Sequence, residues 1–297
     1  MKAIGALMVW TALVAPSLGA PAAAQPAAPP LPQRIEAATL GRPSFAEDFT
    51  RLDAAPDQPP PPVPHRWRTV FGYGGPDAPA NRALSAMSLA VDPQYGGSDH
   101  GAALGINPFA TGPEGLTITA RRVPDALAAR LHGHPWASGL LTTRFSFAQL
   151  HGYFEAEMDL PVCEKGAWPA FWLLPTVTGW PAHGEIDVPE TVGTGKIWWS
   201  TVSKATGKKV ETHKVTTGDC QRGWHRYGVL WRPDAIGFYY DRQLVGQEAT
   251  PADYTVPMYM LVNLAVGGAW PGPPAPGARQ ITMRVRQIQA WPLSTGR

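Results

Sequence analysis

The sequence lacks the patterns that mark several classes of protein. Its 297 residues include two cysteines but no H-E-x-x-H and no C-x-x-C motif, so no segment has the spacing of a metal-ligand set. The net charge is +2 with no long run of either sign, which excludes the basic patch typical of nucleic-acid-binding proteins. His132 and His134 are interpreted as loop residues. The sequence therefore predicts no metal, no cofactor and no nucleic-acid partner.

Long apolar runs are missing after the N-terminus. The first residues, "MKAIGALMVWTALVAPSLGAPAAAQ", contain Lys2, an apolar run to about Ala15 and small residues up to Ala24. This order is typical of a secretory signal peptide. A membrane anchor is the alternative, but the run is shorter than the ~20 residues of a membrane span. We expect residues 1–24 to be a cleaved leader and the mature protein to be secreted or periplasmic, without membrane association.

The two cysteines, Cys163 and Cys220, both lie in segments interpreted as loops. Export would place them in an oxidising compartment, where a disulfide between them is plausible. Two unpaired thiols are the alternative, because the sequence does not give the Cα separation that a bridge requires.

Glycine and proline are abundant, with 31 and 33 residues that together make up about 22% of the chain, which favours many turns. The proline-rich segment 25–42 is predicted to be an exposed linker, and 43–297 a single domain. A second proline run, 56–67, is interpreted as a surface loop within that domain. From Gly115 onward apolar residues alternate with polar ones in seven segments: "LTITARRV", "SGLLTTRFSF", "GYFEAEMDLP", "HRYGVLWR", "IGFYYDRQLV", "PMYMLVNLAV" and "QITMRVRQIQAW".

Each of these segments is a strand candidate, because residues with a period of two occupy one face of a sheet. In "GYFEAEMDLP" the pattern places Phe154 and Met158 on a core face, and Glu155 and Glu157 on a face expected to be solvated. No segment carries a helical apolar stripe over three turns. The fold predicted from this pattern is an all-β sandwich of two antiparallel sheets.

The segment "HGEIDVPE" contains three carboxylates with the spacing E-x-D-x-x-E. In a regular strand Glu185 and Asp187 would share one face and Glu190 would lie on the other. A β-bulge adds one residue and restores the parity, and Pro189 suits a bulge because it cannot donate a ladder hydrogen bond. We therefore predict a bulge near Val188 and Pro189, with all three acids on one face.

With one residue absorbed, the backbones of Glu185 and Glu190 would lie about 13 Å apart. Side chains leaning inward by ~4 Å each leave roughly 5 Å between the carboxyls, near the separation found in retaining glycosidases. Two such carboxyls can act as nucleophile and acid/base, and a third between them can orient one and raise the proton affinity of both. A solvated acidic strand face is the structural alternative.

The surrounding sequence "WPAFWLLPTVTGWPAHGEIDVPETVG" resembles glycoside hydrolase family 16, in particular its laminarinase-like and bacterial exopolysaccharide β-glucanase-like members. The resemblance covers most of the chain between Phe45 and Trp291. It implies a β-jelly roll with a concave cleft for a polysaccharide, with Glu185 as nucleophile, Glu190 as acid/base and Asp187 as assisting acid. The implied reaction is endo-hydrolysis of internal β-1,3 or β-1,4 glucosidic bonds with retention of configuration.

Aromatic side chains are also expected in such a cleft, because their faces pack against the apolar faces of sugar rings. The resemblance assigns Trp172, Trp180 and Trp270 to positions flanking the scissile bond, with core packing as the alternative for each. Asn263 could hydrogen-bond substrate or serve a core or turn role. The other tryptophans considered are interpreted as structural: Trp168, Trp198, Trp199, Trp224, Trp231 and Trp291.

Three positions depart from the family's pattern. Asn81 is not followed by the carboxylate and amide that relatives commonly carry, and Ser203 replaces a cleft histidine found in many laminarinase-like members. Arg286 occupies the place of an aspartate that binds structural calcium in relatives, so no calcium site is predicted. These differences leave the exact polysaccharide open.

Three activities remain compatible with the sequence. The leading one is a secreted, monomeric endo-β-glucanase. A non-catalytic β-glucan-binding protein on the same fold is disfavoured by the presence of all three acids. A transglycosylase, in which an acceptor sugar replaces water, has the same catalytic residues and stays open.

Overall fold

The segments with period-two patterns form strands in the computed structural model. The structure describes residues 30–55, 65–69, 71, 74–78, 86–207, 210–216, 220 and 223–293. The predicted leader, most of the second proline run and Asn81 lie outside the described residues. Leu31–Arg297 form one compact unit.

The described residues contain a 3₁₀ turn at Ala37–Thr39, one short helix, α1, at Asp125–Ala129, and eighteen strands. The strands are β1 Phe45–Glu47, β2 Ala54–Ala55, β3 Trp67–Arg68, β4 Ser88–Ala90, β5 Phe109–Gly112, β6 Gly115–Arg122, β7 Trp136–Ser138, β8 Leu140–Thr142, β9 Gly152–Asp159, β10 Ala167–Pro175, β11 Glu185–Thr191, β12 Lys196–Val202, β13 Val210–Thr216, β14 His225–Trp231, β15 Ala235–Tyr240, β16 Gln243–Ala249, β17 Met258–Val266 and β18 Gln280–Trp291.

The strands form two sheets. Sheet A has the order β16-β15-β14-β9-β18-β6-β7-β4, with β1 paired to β18 and β5 paired to β6. Sheet B has the order β13-β12-β11-β10-β17-β8-β3-β2. The predicted all-β sandwich is confirmed, although the β2–β3 and β4–β7 pairs are parallel rather than antiparallel.

One predicted strand is a hairpin. "IGFYYDRQLV" forms the end of β15, a turn and the start of β16, which pair antiparallel. The turn residues Asp241 and Arg242 both have positive φ, 48° and 64°. Two successive residues with positive φ are typical of the tight turns that join antiparallel strands. The alternating pattern continues across the turn, so periodicity alone did not reveal it.

The core lies between the two sheets. In β9, Phe154, Ala156 and Met158 are fully buried, as predicted. They belong to a cluster that includes inward-facing side chains of sheet B, namely Phe171, Leu173, Ile186, Val188, Met260 and Val262. Alternation in each strand thus directs one set of side chains into the core and leaves the other set on the outer face of its sheet.

The expectation of a solvated outer face on β9 is wrong. Glu155, Glu157 and Asp159 on that face are all buried, at 2%, 7% and 1% exposure. Arginines from elsewhere in the chain cover them and form ion pairs of 2.5–3.0 Å: Arg226, Arg242, Arg284 and Arg286. A polar alternation predicts the face of a side chain, but it does not reveal which cations from neighbouring strands cover that face.

Glu155 has the most complete set of partners. Arg242 donates two hydrogen bonds of 2.8 Å to its two oxygens, Arg226 donates one of 3.0 Å, and the Tyr153 hydroxyl donates one of 2.8 Å. Burial alone raises the pKa of this carboxyl, but the bonds from Arg242 and Tyr153 and the charge of Arg226 hold it below its ordinary value. Glu155 is therefore a buried carboxylate that stays ionised.

The predicted linker also requires correction. Leu31 and Ile35 are buried, and Ile35 packs with Tyr239 and Trp291. The Ile35 amide donates a 2.9 Å hydrogen bond to the carbonyl of Arg242, and the Tyr239 hydroxyl donates one of 2.9 Å to the carbonyl of Pro32. The folded unit therefore begins at Leu31 and not near residue 43, because isolated apolar residues in a proline-rich segment are enough to anchor it.

The predicted disulfide is confirmed. Cys163 and Cys220 are bonded, with a Cα–Cα distance of 5.4 Å and a sequence separation of 57. The bond links the connection between β9 and β10 to the segment before β14. In the part of the chain that the structure describes, no helix has the length and apolar character needed to cross a membrane.

Replacing Glu155 with alanine is expected to lower the free energy of unfolding by about 3–5 kcal/mol. The change removes the counter-charge of Arg242, one of the two carboxylate partners of Arg226 and the acceptor of the Tyr153 hydroxyl. Glu36, exposed and paired with Arg34 at 3.2 Å, is the control, and its replacement by alanine should cost less than about 1 kcal/mol. Urea denaturation measures both. Equal losses in the two variants would show that the buried ion pairs of Glu155 stabilise the fold no more than the exposed pair of Glu36 does.

Candidate active site

The three acids of "HGEIDVPE" lie on β11 at an irregularity in its pairing. Asp187 pairs with Ser200 and Glu190 with Trp198, so three steps along β11 correspond to two along β12. The same shift occurs against β10, where Trp172 pairs with Asp187 and Ala170 with Glu190. The predicted bulge at Val188 and Pro189 is therefore present.

The bulge sets the faces of the side chains. Ile186 and Val188 are fully buried in the core between the sheets. Glu185, Asp187 and Glu190 share the opposite face of sheet B, which we call the site face. Asp187 is hydrogen-bonded to Glu185, and the negative charge of Glu190 raises the pKa of both. The structure thus brings together the three acids that the sequence predicted, with Asp187, 5% exposed, the deepest.

The start of β11 is held in place by Tyr254. Its hydroxyl lies 2.6 Å from the carbonyl oxygen of Glu185 and 3.0 Å from that of Val202. Gly184, with φ of +88°, precedes Glu185, and a Cβ there would lie 1.9 Å from the Tyr254 ring. Only glycine leaves room for this contact, so the small residue before the first acid fixes where the strand begins.

Two tryptophans donate hydrogen bonds to the outer acids. The indole N–H of Trp180 lies 2.7 Å from Oε2 of Glu185, and that of Trp168 lies 2.9 Å from Oε1 of Glu190. Trp168 was expected to be structural, and that expectation is wrong. The signal for it was in the sequence: in a strand with period two, Trp168 shares a face with Trp172, which was assigned to the site.

Burial raises the pKa of all three carboxyls above the ordinary value, whereas the pKa of Glu155 is held below it by its arginine and tyrosine partners. For Glu185 it raises the pKa to about 7, with the negative charge of Glu190 adding to it and hydrogen bonds from Trp180 and Asp187 opposing it. The pKa of Asp187 is raised well above its ordinary value by burial and by both neighbouring acids. The pKa of Glu190 is raised by burial, against the hydrogen bond from Trp168.

Of the three acids, Asp187 therefore has the surroundings that most favour the protonated form. Its hydrogen bond with Glu185 lowers the pKa of Glu185 and raises its own, as expected when Asp187 is the donor and Glu185 the acceptor. Together with the indole of Trp180, this gives Glu185 two donors that stabilise its anion. The arrangement can support one ionised carboxylate beside a protonated neighbour.

The other predicted binding residues differ in exposure. Trp180 and Trp270 are 47% and 45% exposed. The Trp270 ring lies edge-on to Trp168, 5.7 Å away, and to Trp198, 6.1 Å away, so it stands next to the donor that contacts Glu190. Trp198 therefore belongs to the same aromatic group at the site, although it was interpreted as structural.

Trp172 and Asn263 contact each other. The indole N–H of Trp172 donates a 2.8 Å hydrogen bond to the Asn263 side-chain oxygen, and the Trp172 ring lies 6.2 Å from that of Phe71. Asn263 is buried, while Trp172 is partly exposed on the site face between Asp187 and β17. The asparagine thus orients a site tryptophan.

Two departures from the family pattern have structural explanations. Ser203 is buried, and its hydroxyl lies 2.5 Å from Oδ1 of Asp253, so its side chain is committed to that contact. Arg286 forms a 2.5 Å ion pair with Glu157, and its guanidinium lies 4.0 Å from the Trp224 ring centroid. Among the described residues, no group of three or more His, Cys, Asp or Glu side chains is placed to hold a metal ion.

The sequence profile of Glycosyl hydrolases family 16 matches residues 107–286, more than half of the chain. The chain belongs to this family. The matched segment includes β11 with its three acids, all the strands of sheet B from β8 to β13, and most of sheet A.

Two curated relatives are the Endo-1,3-1,4-beta-glycanases ExsH and EglC of Rhizobium meliloti (strain 1021). Each is 41% identical to this family 16 chain, over 191 and 190 residues respectively, which is 63% of this chain. The matched part spans 40% of the length of either relative.

The fold of this family 16 chain is similar to that of solved structures. The laminarinase from Rhodothermus marinus superposes with a TM-score of 0.65 at 21% identity, covering 84% of this chain and 96% of that one. The predicted β-jelly roll is thereby confirmed.

Replacing Glu185 with glutamine is expected to change how stability depends on pH. The raised pKa means that the stability contributed by this carboxyl is fully present below its ordinary value of 4.5 and is lost as the pH rises through about 7. Relative to wild type, the variant should gain on the order of 2 kcal/mol of unfolding free energy between pH 5 and pH 8.

Thermal unfolding at both pH values measures this effect, with Glu36→Gln as the control for an exposed carboxylate. The melting temperature of Glu185→Gln minus that of wild type should be more positive at pH 8 than at pH 5. For Glu36→Gln, the difference in melting temperature from wild type should be the same at pH 5 and at pH 8. A pH-independent difference for Glu185→Gln would mean that burial does not raise the pKa of this group.

Proposed function

We propose that this protein is an endo-β-glucanase that hydrolyses internal β-1,3 and/or β-1,4 glucosidic bonds of a β-glucan or a bacterial exopolysaccharide, with retention of configuration. The bulge in β11, which puts Glu185, Asp187 and Glu190 on one face, is the observation that carries the proposal. Family membership supports the reaction type. The rhizobial relatives, which are endo-1,3-1,4-β-glycanases, support the choice of bonds.

Glu185 is the nucleophile in this proposal. It accepts hydrogen bonds from Trp180 and from protonated Asp187, and both favour its anion. The carboxylate attacks the anomeric carbon, the bond from that carbon to the leaving oxygen breaks, and a glycosyl ester of Glu185 forms. Asp187 acts by orienting Glu185 and by stabilising its charge before attack.

Glu190 is the acid/base. Burial raises its pKa, which favours the protonated form that a general acid needs. It gives this proton to the leaving oxygen in the first step and takes one from the attacking water in the second. The hydrogen bond from Trp168 holds the carboxyl in position and limits the rise in its pKa.

Retention is supported by the spacing along β12. Glu185 pairs with Val202 and Glu190 with Trp198, so their backbones are four strand residues, or about 13 Å, apart. Allowing ~4 Å for each inward-leaning side chain leaves roughly 5 Å, close to the ~5–5.5 Å of retaining enzymes and below the ~6.5–9.5 Å of inverting ones.

The remaining expectations are part of the same proposal. Residues 1–24 act as a signal peptide, the mature enzyme is secreted or periplasmic and works as a monomer, and the catalytic domain extends to the C-terminal end of the chain. The exposed faces of Trp180 and Trp270 bind sugar rings on the two sides of the acids. No cofactor takes part in the steps proposed for Glu185 and Glu190.

The proposal is tested by incubating the purified mature protein with laminarin, mixed-linkage β-glucan, agar-type galactans and bacterial exopolysaccharides. Wild type and the control Glu36→Gln should release oligosaccharides from one of the glucan polymers, whereas Glu185→Gln should lose at least about 10³-fold in kcat/KM because the nucleophile is gone. Product analysis identifies the linkage.

The same panel distinguishes the alternative activities. Equal binding of one polymer by wild type and Glu185→Gln without cleavage would replace the proposal with a glucan-binding protein. Products longer than the substrate would indicate a transglycosylase. Substantial turnover by Glu185→Gln would refute the assignment of the nucleophile.

The stereochemical course is tested with Glu190→Ala. This variant should be nearly inactive on polymer but should be rescued by azide on a substrate with an activated leaving group, because azide needs no general base. Attack on the glycosyl-enzyme from the face that Glu190 vacates gives a β-glycosyl azide, which NMR identifies. An α-glycosyl azide would instead establish inversion.

A further inference from the structure

The row of side chains that contains Glu185 continues across sheet B to an arginine. The pairing of β11, β10, β17 and β8 aligns Glu185 with Leu174, Leu174 with Tyr259, and Tyr259 with the position of Arg144 just past β8. Three interstrand spacings of ~4.8 Å put Arg144 about 14 Å from Glu185. In this register Tyr259 lies between the two charged side chains. Burial raises the pKa of Tyr259 to about 12, with Arg144 opposing the rise and Glu185 adding to it.

A small cavity joins this arginine to the site. It has a volume of about 80 Å³ and is lined by residues that include Trp180, Val177, Tyr259 and Arg144. Trp180 is the residue that donates to Glu185. At this volume the cavity has room for a substituent of a few heavy atoms but not for a sugar ring.

The guanidinium of Arg144 is supported by aromatic rings. It lies 5.8 Å from the centroid of Tyr259 and 5.4 Å from that of Phe145, which is 62% exposed. No carboxylate in the described ranges forms an ion pair with it, unlike the arginines that cover β9. The planar fork of an arginine matches the two oxygens of a carboxylate, and stacking on rings leaves its N–H groups free to donate.

We propose that Arg144 binds a carboxylate-bearing substituent of the polysaccharide, two or three strands away from the cleaved bond on the Glu185 side. The substituent enters the cavity beside Trp180, where Leu174, Pro175 and Val177 pack against its carbon part. The inference rests on the proposed glucanase activity and assigns to it an acidic rather than a neutral polymer. Arg144 is thus a residue that determines specificity.

The test compares three forms of the polymer that the enzyme cuts: neutral, carboxymethylated and sulfated, at matched chain length and degree of substitution. The variants are Arg144→Gln, Arg144→Lys and the control Arg122→Gln, which removes the same charge from an exposed position at the end of β6. For each protein, the selectivity is kcat/KM on the carboxymethylated polymer divided by that on the neutral one.

Arg144→Gln should lower this selectivity about tenfold, the effect of losing one hydrogen-bonded charge pair. Arg144→Lys should lower it less, because the charge remains while the fork is lost. Arg122→Gln should leave it unchanged, and 0.5 M salt should reduce the selectivity of wild type.

Unchanged selectivity in Arg144→Gln would overturn the proposal, as would an equal loss in Arg122→Gln, which would indicate a general charge effect. A larger loss on the sulfated than on the carboxymethylated polymer would overturn the assignment of a carboxylate. Cleavage of the neutral polymer reports separately on the glucanase activity. If no polymer is cut, the ratio of dissociation constants for the carboxymethylated and neutral forms, from affinity electrophoresis, provides the same comparison.

Discussion

One extra residue in β11 determines which side chains meet on the site face of this protein. Without the bulge at Val188 and Pro189, strand parity would turn Glu190 toward the core, where its carboxyl would displace apolar side chains. With the bulge, Ile186 and Val188 stay in the core while three acids share the opposite face. The pairing with both β10 and β12 absorbs the same residue, so the irregularity is built into the centre of sheet B.

Two groups of buried acids in this protein show how the surroundings determine protonation. Glu155 on sheet A is covered by arginines, and its pKa is held below the ordinary value. On sheet B, burial raises the pKa of Glu185, Asp187 and Glu190, and the indole N–H groups of Trp180 and Trp168 oppose the rise at Glu185 and Glu190 only in part. The first group is suited to a stable charge. The second is suited to giving and taking a proton.

The aromatic side chains of the site connect the acids to the surface that we propose binds sugar. Trp168 and Trp180 each use the indole N–H to hold a carboxyl, while Trp270 packs against Trp168 and presents an exposed face. Tyr254 fixes the start of β11, and Gly184 makes room for its ring. The same aromatic side chains therefore hold the three acids in position and, in the proposed function, provide apolar contact area for sugar rings.

The sequence by itself determined the all-β sandwich, the bulge and the identity of the three acids, because these depend on local alternation and on the spacing within one short strand. It also suggested the disulfide. Only the tertiary structure decided that Trp168 contacts Glu190, that arginines cover β9, and that Leu31 and Ile35 join the fold. The face of Trp168 follows from the period of β10, but its contact with Glu190 depends on how β10 pairs with β11. The arginines, Leu31 and Ile35 reach their partners from segments distant in the chain, and such contacts leave no periodic signal in the sequence.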